Sequence, residues 1–103
     1  MDEALLRDLF LGFIRIHILY HAEKGRVFGT GLMEELSRHG YKIGPGTLYP
    51  ILHTMEAKGL LLSEREVVDG RQRRYYRTTE VGRAALQTAR EHTKELIKEI
   101  MEE

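Results

Sequence analysis

The stretch from Gly44 to Gly59 places hydroxyl and imidazole groups on one side of a short predicted helix. Gly44 or Gly46 can act as the N-cap, and Pro45 suits the first helical position. Free amides and the dipole at such a helix start favour an anion such as a phosphate. Apolar residues recur at helical spacing on the opposite side: Leu48, Ile51, Leu52 and Met55. The uncharged polar side carries Thr47, Tyr49, Pro50, His53 and Thr54.

One residue in this helix limits where the helix can begin. Pro50 has no N–H, so inside a helix it removes the hydrogen bond to the carbonyl four residues earlier. A start at Gly44 would place Pro50 inside the helix and kink it, whereas a start near Gly46 would keep Pro50 in the first turn; the sequence leaves both starts open. The alternative for the whole stretch is a kinked structural helix in which Tyr49 packs into the core.

The second group of candidate residues is basic. Arg71, Arg73 and Arg74 follow Asp69-Gly70, the strongest hairpin-turn signal in the chain. They suit contacts with phosphates or with a minor groove, although a solvated basic hairpin would look the same. Tyr75 and Tyr76 alternate, so we expect one to face the core and the other to face solvent or phosphate. The sequence does not decide which.

His17 and His21 lie four residues apart, on one face of a predicted helix. The pair could take part in a metal site, but no carboxylate or cysteine is placed near it in the sequence pattern. We therefore expect no metal site and no cofactor, and we interpret the pair as a polar strip at a subunit interface. In a closed interface such a pair could also respond to pH.

Composition narrows the class of protein. The chain has 103 residues, no cysteine and a formal net charge of zero, with 16 basic and 16 acidic residues. These features predict one cytoplasmic domain without disulfides or zinc–thiolate sites, and no apolar run approaches a membrane span. The basic residues are concentrated between Arg71 and Arg83, whereas the chain after Glu91 is acidic. No phosphate-binding loop or partnered nucleophile is present, so we do not expect an enzyme.

The remaining elements surround these two groups. We expect a first helix from Asp2 to Lys24, ended by Gly25, and a turn from Gly25 to Gly29 that returns Phe28 to the core. A second helix capped by Thr30 would end at Gly40 and lead to the helix after Gly44, which is a helix-turn-helix pattern. Strands from Leu60 to Val68 and from Arg71 to Thr78 would form a hairpin. The last helix would begin at Thr79 and run to Met101 or beyond.

Two of these helices carry more apolar surface than one small domain can cover. The first helix is apolar around most of its circumference, and the last has apolar residues at alternating three- and four-residue spacing. We therefore expect a dimer. The residues assigned to its interface are Leu6, Phe10, Phe13, Leu86, Thr93, Leu96, Ile97 and Ile100. An effector site between these helices would be lined by Phe10, Phe13, Ile97 and Met101, although the same residues serve equally well as a dry interface.

These motifs, taken in order, resemble the PadR-like family of winged-helix transcriptional regulators. The resemblance rests on Gly46-Thr47-Leu48-Tyr49-Pro50, on Met55-Glu56 with Gly59-Leu60, and on Gly70-Arg71 with Arg73-Arg74-Tyr75-Tyr76. It continues to Thr79 and Gly82 and covers nearly the whole chain, as in the compact branch of the family. Two features depart from the pattern: Thr78 stands where leucine is usual, and the chain has no tryptophan.

The resemblance implies a fold that is mainly α with a β-hairpin wing. Residues 1–78 would form a winged helix-turn-helix DNA-binding core, and residues 79–103 a dimerisation helix within a single overall domain. It also implies a homodimer on double-stranded operator DNA, commonly a repressor released by a stress signal or by an aromatic or drug-like effector. The expected DNA contacts are Gly46, Thr47, Tyr49, Pro50, His53, Thr54, Arg71, Arg73, Arg74 and Tyr76. The alternative is a protein-interaction or ligand-binding dimer that does not read DNA.

Overall fold

The computed structural model describes residues 2–102. Residue 1 of the predicted DNA-binding core and residue 103 of the predicted dimerisation helix lie outside this range. The chain is mainly helical with a small antiparallel sheet, which confirms the predicted fold class. Its elements, in order, are α1 (Glu3–Lys24), β1 (Val27–Phe28), α2 (Gly29–Arg38), α3 (Pro45–Ala57), β2 (Leu61–Val68), β3 (Arg71–Thr78) and α4 (Glu80–Ile100).

The two long helices begin at the caps that the sequence predicts. The Asp2 carboxylate accepts a hydrogen bond from the Ala4 amide at 3.0 Å, so α1 has a side-chain N-cap. The Thr79 hydroxyl likewise accepts from the Gly82 amide at 3.0 Å at the start of α4. These short-range hydrogen bonds fix the first turn of each helix.

The sheet has three strands in the order β1-β3-β2, rather than the two expected. β2 and β3 pair in register from Leu61 opposite Thr78 to Val68 opposite Arg71. Asp69 and Gly70 join them with φ values of 51° and 77°, as a two-residue hairpin turn with two positive φ angles requires. The expected turn from Gly25 to Gly29 instead contains β1, which pairs with β3.

One predicted helix start was wrong, and of the two starts left open for α3 the structure has the earlier one. α2 begins at Gly29, so Thr30 lies in the first turn and Phe28 occupies the N-cap position without a side-chain hydrogen bond. α3 begins at Pro45 with Gly44 as N-cap, so Pro50 lies inside the helix. Without an N–H on Pro50, the Gly46 carbonyl lacks its helical partner.

One apolar core joins all four helices and the sheet. Its fully buried members include Ile18 of α1, Leu36 of α2, Leu52 of α3 and Leu61 of β2. Leu86 of α4 also belongs to this core, with 2% of its surface exposed. Its assignment to a subunit interface was therefore wrong, because its own chain already covers it. None of the helices within residues 2–102 is both long and apolar enough to cross a membrane.

A polar contact connects the end of the wing to α1. Thr78 is buried, and its hydroxyl donates a hydrogen bond of 2.6 Å to the Glu23 carboxylate. The Arg83 Nε donates to the same carboxylate at 3.0 Å. Both donors stabilise the charged form, so the pKa of Glu23 is lowered, chiefly by the Thr78 hydrogen bond and then by Arg83. Thr78, which stands where leucine is usual in the family, thus attaches the wing to α1 through a hydrogen bond.

Candidate nucleic-acid interface

The outer face of α3 is largely exposed to solvent. Leu48, Ile51, Leu52 and Met55 are buried and attach the helix to the core. Pro50, His53 and Thr54 are exposed, as is Gly46, where an added Cβ would have no neighbour within 4 Å. Thr47 is half-buried, and 38% of the Tyr49 surface is exposed. Small, polar and uncharged groups therefore cover the surface that a groove of DNA would meet.

Tyr49 does not pack into the core but lies across the start of α2. A Cβ built on Gly29 would stand 2.3 Å from the Tyr49 hydroxyl oxygen, so only glycine leaves room for this ring. Tyr49, Gly29 and Thr30 form one wall of a groove of about 620 Å³, whose other wall is the wing. Gly29 and Thr30 were not predicted as groove residues, since Thr30 was interpreted only as a helix cap.

The wing turns one basic face towards α3. β2 is attached to α3 by the Glu56 carboxylate, which accepts from the Ser63 amide at 3.2 Å. Ser63 lies opposite Tyr76, and Arg65 lies opposite Arg74. Since side chains alternate along a strand, Arg65 and Arg74 share the face that carries Ser63.

Within residues 2–102, neither of these facing arginines forms an ion pair with an acidic side chain. Like charges directly opposite each other in a sheet are unfavourable, and the Arg74 Nε is buried without a hydrogen-bond partner among the described residues. A polyanion at this place would relieve the repulsion between the two arginines. Arg65 was not among the predicted contacts, because the sequence does not show which β2 residue lies opposite Arg74.

Tyr76 is not available as a DNA contact. Only 1% of its surface is exposed, and its ring is part of the core beneath the wing. Burial raises the pKa of its hydroxyl. Tyr75 is also buried, at 9% exposure, so the expectation that one of the two tyrosines faces outward was wrong. The reason is β1, which adds a third strand and brings Phe28 against Tyr75.

The other wing arginines differ in how freely they can contact a ligand. Arg71 beside the hairpin turn is exposed. Arg73 is half-buried, and its guanidinium lies 4.2 Å from the centre of the Phe28 ring. Arg77 is bound to Glu64 at 3.0 Å. Within residues 2–102, the ion pairs leave Arg65, Arg71, Arg73 and Arg74 uncompensated, and this set is concentrated towards the outer half of the wing.

Exposed apolar side chains cluster on α1 and on the second half of α4. Leu5, Leu9 and Phe13 follow one another at four-residue spacing and expose 60%, 70% and 38% of their surface. On α4 the exposed fractions rise from 39% at Leu96 to 65% at Ile100. Leu6, Phe10 and Thr93, also assigned to the interface, are half-buried, and Ile97 is exposed. Such a surface is typical of a protein–protein contact.

A cavity of about 490 Å³ lies between α1, α4 and the end of α2. Its walls include the aromatic residues Phe13, Tyr20 and Tyr41, together with Leu86 and three histidines. Of the four residues expected around an effector, Phe13 alone lines this cavity. Phe10 stacks on Phe13 but lines a different cavity, and Ile97 and Met101 lie farther along α4 with exposed side chains.

Comparison with known proteins agrees with this geometry. Residues 18–88 match the model of the transcriptional regulator PadR-like family. The chain is 53% identical over 96 residues to the transcriptional regulator Rv3488 of Mycobacterium tuberculosis, covering 93% of this chain and 90% of that protein. A PadR family transcriptional regulator from Eggerthella lenta has a TM-score of 0.82 and 29% identity, over 94% of this chain and 86% of its own.

A transcriptional regulator from Clostridium thermocellum shares the fold at a TM-score of 0.81 with 24% identity, over 90% of this chain and 94% of that one. The family model covers well over half of the chain, and the sequence relative spans almost all of it. The protein therefore belongs to the PadR-like family of transcriptional regulators.

Proposed function

We propose that this DNA-binding regulator reads a pseudo-palindromic operator as a homodimer and represses transcription until a signal releases it. The observation that carries the proposal is the pairing of two surfaces. The exposed polar face of α3, with Thr47, His53 and Thr54, stands beside a wing face with the uncompensated arginines Arg65 and Arg74. The first surface suits base edges and the second suits phosphates.

Within this arrangement, different groups have different roles. His53 and Thr54 lie farther along α3 and would reach base edges, whereas Thr47 and Tyr49 would hold phosphates near the helix start. Gly46 and Pro50 present no long side chain, so the DNA backbone can approach closely. Arg71, Arg73 and Arg74 complete the predicted set on the wing, and Arg65 joins it.

The dimer follows from the apolar surface on α1 and α4. A second copy would cover Leu9, Phe13, Leu96 and Ile100, which otherwise expose large apolar areas to water. Two copies related by a two-fold axis would present two α3 helices to successive major grooves, ~34–36 Å apart. An isologous interface of this kind explains why the operator would be pseudo-palindromic.

Release by a signal is supported by the cavity between α1 and α4. Its volume lies within the range of roughly 300–1,000 Å³ that small-molecule sites occupy, and aromatic residues dominate its walls. The cavity touches α1, which carries the proposed dimer surface, and the end of α2, which precedes the DNA-reading helix. A ligand there would contact both parts of the protein.

Fluorescence anisotropy with DNA from upstream of the protein's own gene, beside a shuffled sequence of equal length, tests the proposal. We expect tighter binding to the native DNA and a steep fall in affinity with salt. His53→Ala should reduce the preference for the native sequence. His92→Ala, on the exposed surface of α4, is the matched control and should bind as the unaltered protein does.

Equal and weak binding to both DNAs at all salt concentrations would count against sequence-specific reading of this DNA. If a library of genomic fragments gave the same result, the alternative of an interaction module without DNA readout would replace the proposal. Repression is tested separately, since deletion of the gene should raise transcription from the promoter that the protein binds.

A further inference from the structure

Three histidines from two helices meet at one end of the cavity between α1 and α4. His17 and His21 lie one turn apart on α1, and His39 follows the last residue of α2. One ring nitrogen from each lies within 4.8 Å of the other two. The ring centres of His17 and His39 are 4.6 Å apart and those of His21 and His39 are 5.9 Å apart. The sequence pair His17 and His21 thus gains the third member that it lacked.

A carboxylate completes the group. The Glu35 Oε1 lies 3.7 Å from the Nε2 of His21 and 3.7 Å from the Nε2 of His39. The other oxygen, Oε2, accepts a hydrogen bond of 2.6 Å from Arg38. Arg38 therefore holds the carboxylate so that its free oxygen points at the histidines.

One buried polar atom of this histidine cluster has no partner among the described residues. The Nε2 of His21 is buried and has no hydrogen-bond partner among the described residues. Neutral imidazoles carry a free lone pair, the form in which histidine binds metals.

We propose that His17, His21 and His39 bind one divalent transition-metal ion such as Zn²⁺, with the Glu35 carboxylate as the fourth ligand. The site lies at one end of the proposed effector cavity, away from the DNA-binding surface, and metal binding there can be tested whether or not the protein reads DNA as proposed. Imidazole nitrogens and carboxylate oxygens are ordinary ligands of zinc, and structural zinc sites are tetrahedral with bonds of ~2.0–2.2 Å. The chain has no cysteine, so a zinc site in it must be built from such ligands.

The distances agree with a site that closes by small movements. Tetrahedral bonds of ~2.0–2.1 Å place neighbouring ligand atoms about 3.4 Å apart. The two separations of 3.7 Å between Glu35 and the histidines exceed this by only a few tenths of an ångström. The ring nitrogens of the three histidines lie within 4.8 Å of one another, so small rotations of these side chains, of which His39 is exposed, would bring them to this spacing. The neighbouring cavity gives the ion a path from solvent.

The ligands come from two different parts of the fold. α1 carries the exposed apolar surface, and α2 is the first helix of the helix-turn-helix pair. An ion held by His17 and His21 on one side and by Glu35 and His39 on the other would join these parts. Metal binding should therefore stabilise the folded chain against unfolding.

Chelator-treated protein without a polyhistidine tag tests the site. Co²⁺ titration followed by visible absorption should give the bands of a four-coordinate nitrogen–oxygen site, saturating at one ion per subunit. Zn²⁺ should displace the Co²⁺, and calorimetry should show the same stoichiometry. Zn²⁺ should also raise the thermal unfolding temperature.

Loss of a residue that only hydrogen-bonds to a metal ligand typically weakens metal affinity ~10–100-fold. His39→Gln removes a proposed ligand itself, at an exposed position, and should weaken Zn²⁺ binding by more than this. Glu35→Gln should also weaken Zn²⁺ binding. His92→Gln, on α4 and outside the cluster, should leave it unchanged. Circular dichroism of each variant excludes misfolding as the cause. Absence of the Co²⁺ bands in the unaltered protein, or equal Zn²⁺ affinity of His39→Gln and His92→Gln, would overturn the proposal.

Discussion

Arg65 and Arg74 lie directly opposite each other on the wing, and neither forms an ion pair within the part of the chain that the structure describes. Their mutual repulsion opposes folding, while their combined charge favours a polyanion. Replacing both with glutamine should therefore have opposite effects on two measurements. Stability should stay unchanged or rise by a few tenths of a kcal/mol, up to ~1 kcal/mol. Operator affinity should fall. The slope of log affinity against log salt concentration should become shallower by about one for each lost phosphate contact, counted over both subunits.

Arg77→Gln provides the control for this pair. Arg77 lies on the same strand but is already bound to Glu64 at 3.0 Å, so its charge is compensated within the chain. Its replacement should change the slope of log affinity against log salt much less. If the Arg65 and Arg74 double variant kept the slope of the unaltered protein, the wing would have no phosphate-binding role.

Glu23 gives a pH dependence whose sign follows from its lowered pKa. Hydrogen bonds from Thr78 and Arg83 favour the carboxylate in the folded chain, so its pKa lies below the ordinary value of 4.5. The unfolded chain then takes up its proton at higher pH than the folded chain does. The stabilisation is present at neutral pH and is lost as the pH falls through the folded pKa.

Glu23→Gln should consequently unfold at lower denaturant concentration than the unaltered protein at neutral pH. The difference between the two should shrink below pH 4.5, the ordinary carboxyl value. Urea unfolding across this range measures it, with exposed Glu91→Gln as a variant that should show no such trend. A difference that did not depend on pH would mean that Glu23 acts through shape and not through charge.

Side-chain chemistry could be predicted from the sequence where it depends on near neighbours. Asp2 and Thr79 act on amides two or three residues away, and Asp69 and Gly70 form their turn alone. The grouping of His39 with His17 could not be predicted in this way. It depends on the packing of α2 on α1, which brings residues distant in the sequence into contact.

At the scale of elements, contacts between residues distant in the sequence also explain why β1 was not predicted. β1 has only two residues, and its partners in β3 lie almost 50 positions away, so no local pattern marks it. Its presence buries Tyr75 as well as Tyr76 and so changes which wing residues can meet DNA. The sequence left two starts open for α3 because of Pro50, and the helix takes the earlier one since its buried residues outweigh one lost hydrogen bond.

The junction between β2 and α4 depends on Gly82. A Cβ at this position would stand 2.1 Å from the Leu60 carbonyl oxygen, which is a backbone atom and cannot rotate away. Glycine to alanine in an open helix gains ~1 kcal/mol, but forced overpacking costs about 1–3 kcal/mol. Gly82→Ala should therefore destabilise the protein on balance. Chemical denaturation measures the change, and the neighbouring exposed Val81→Ala should leave stability within about 0.5 kcal/mol.

The whole molecule is elongated, with extents of 55 × 34 × 21 Å, and its exposed apolar side chains extend from α1 to the end of α4. A sequence with apolar residues around most of α1 predicts this surplus, and the structure assigns it to particular residues. Leu86 proves to be internal, whereas Leu5 and Leu9 prove to be more exposed than the expected Leu6 and Phe10. Along α1 and the second half of α4, the apolar residues that remain exposed are those that the proposed second copy would cover.

Leu9→Glu should break the proposed dimer without unfolding the chain. Leu9 exposes 70% of its surface, so the charge meets water in the monomer but would be buried unpaired in a dimer. Analytical ultracentrifugation should show a shift from two subunits to one. Leu62→Glu, at a 57% exposed position on the wing, is the matched control and should remain dimeric.

Operator binding by the same variant shows whether the dimer is the DNA-reading unit. A dimer contacts two half-sites at once, and the second contact is effectively intramolecular, so affinity for the whole operator far exceeds that for one half. Leu9→Glu should bind the full operator no more tightly than a half-site, while the unaltered protein should discriminate strongly between them. A monomeric variant that kept full operator affinity would show that one α3 and one wing suffice, and the α1 and α4 surface would then have to serve another partner.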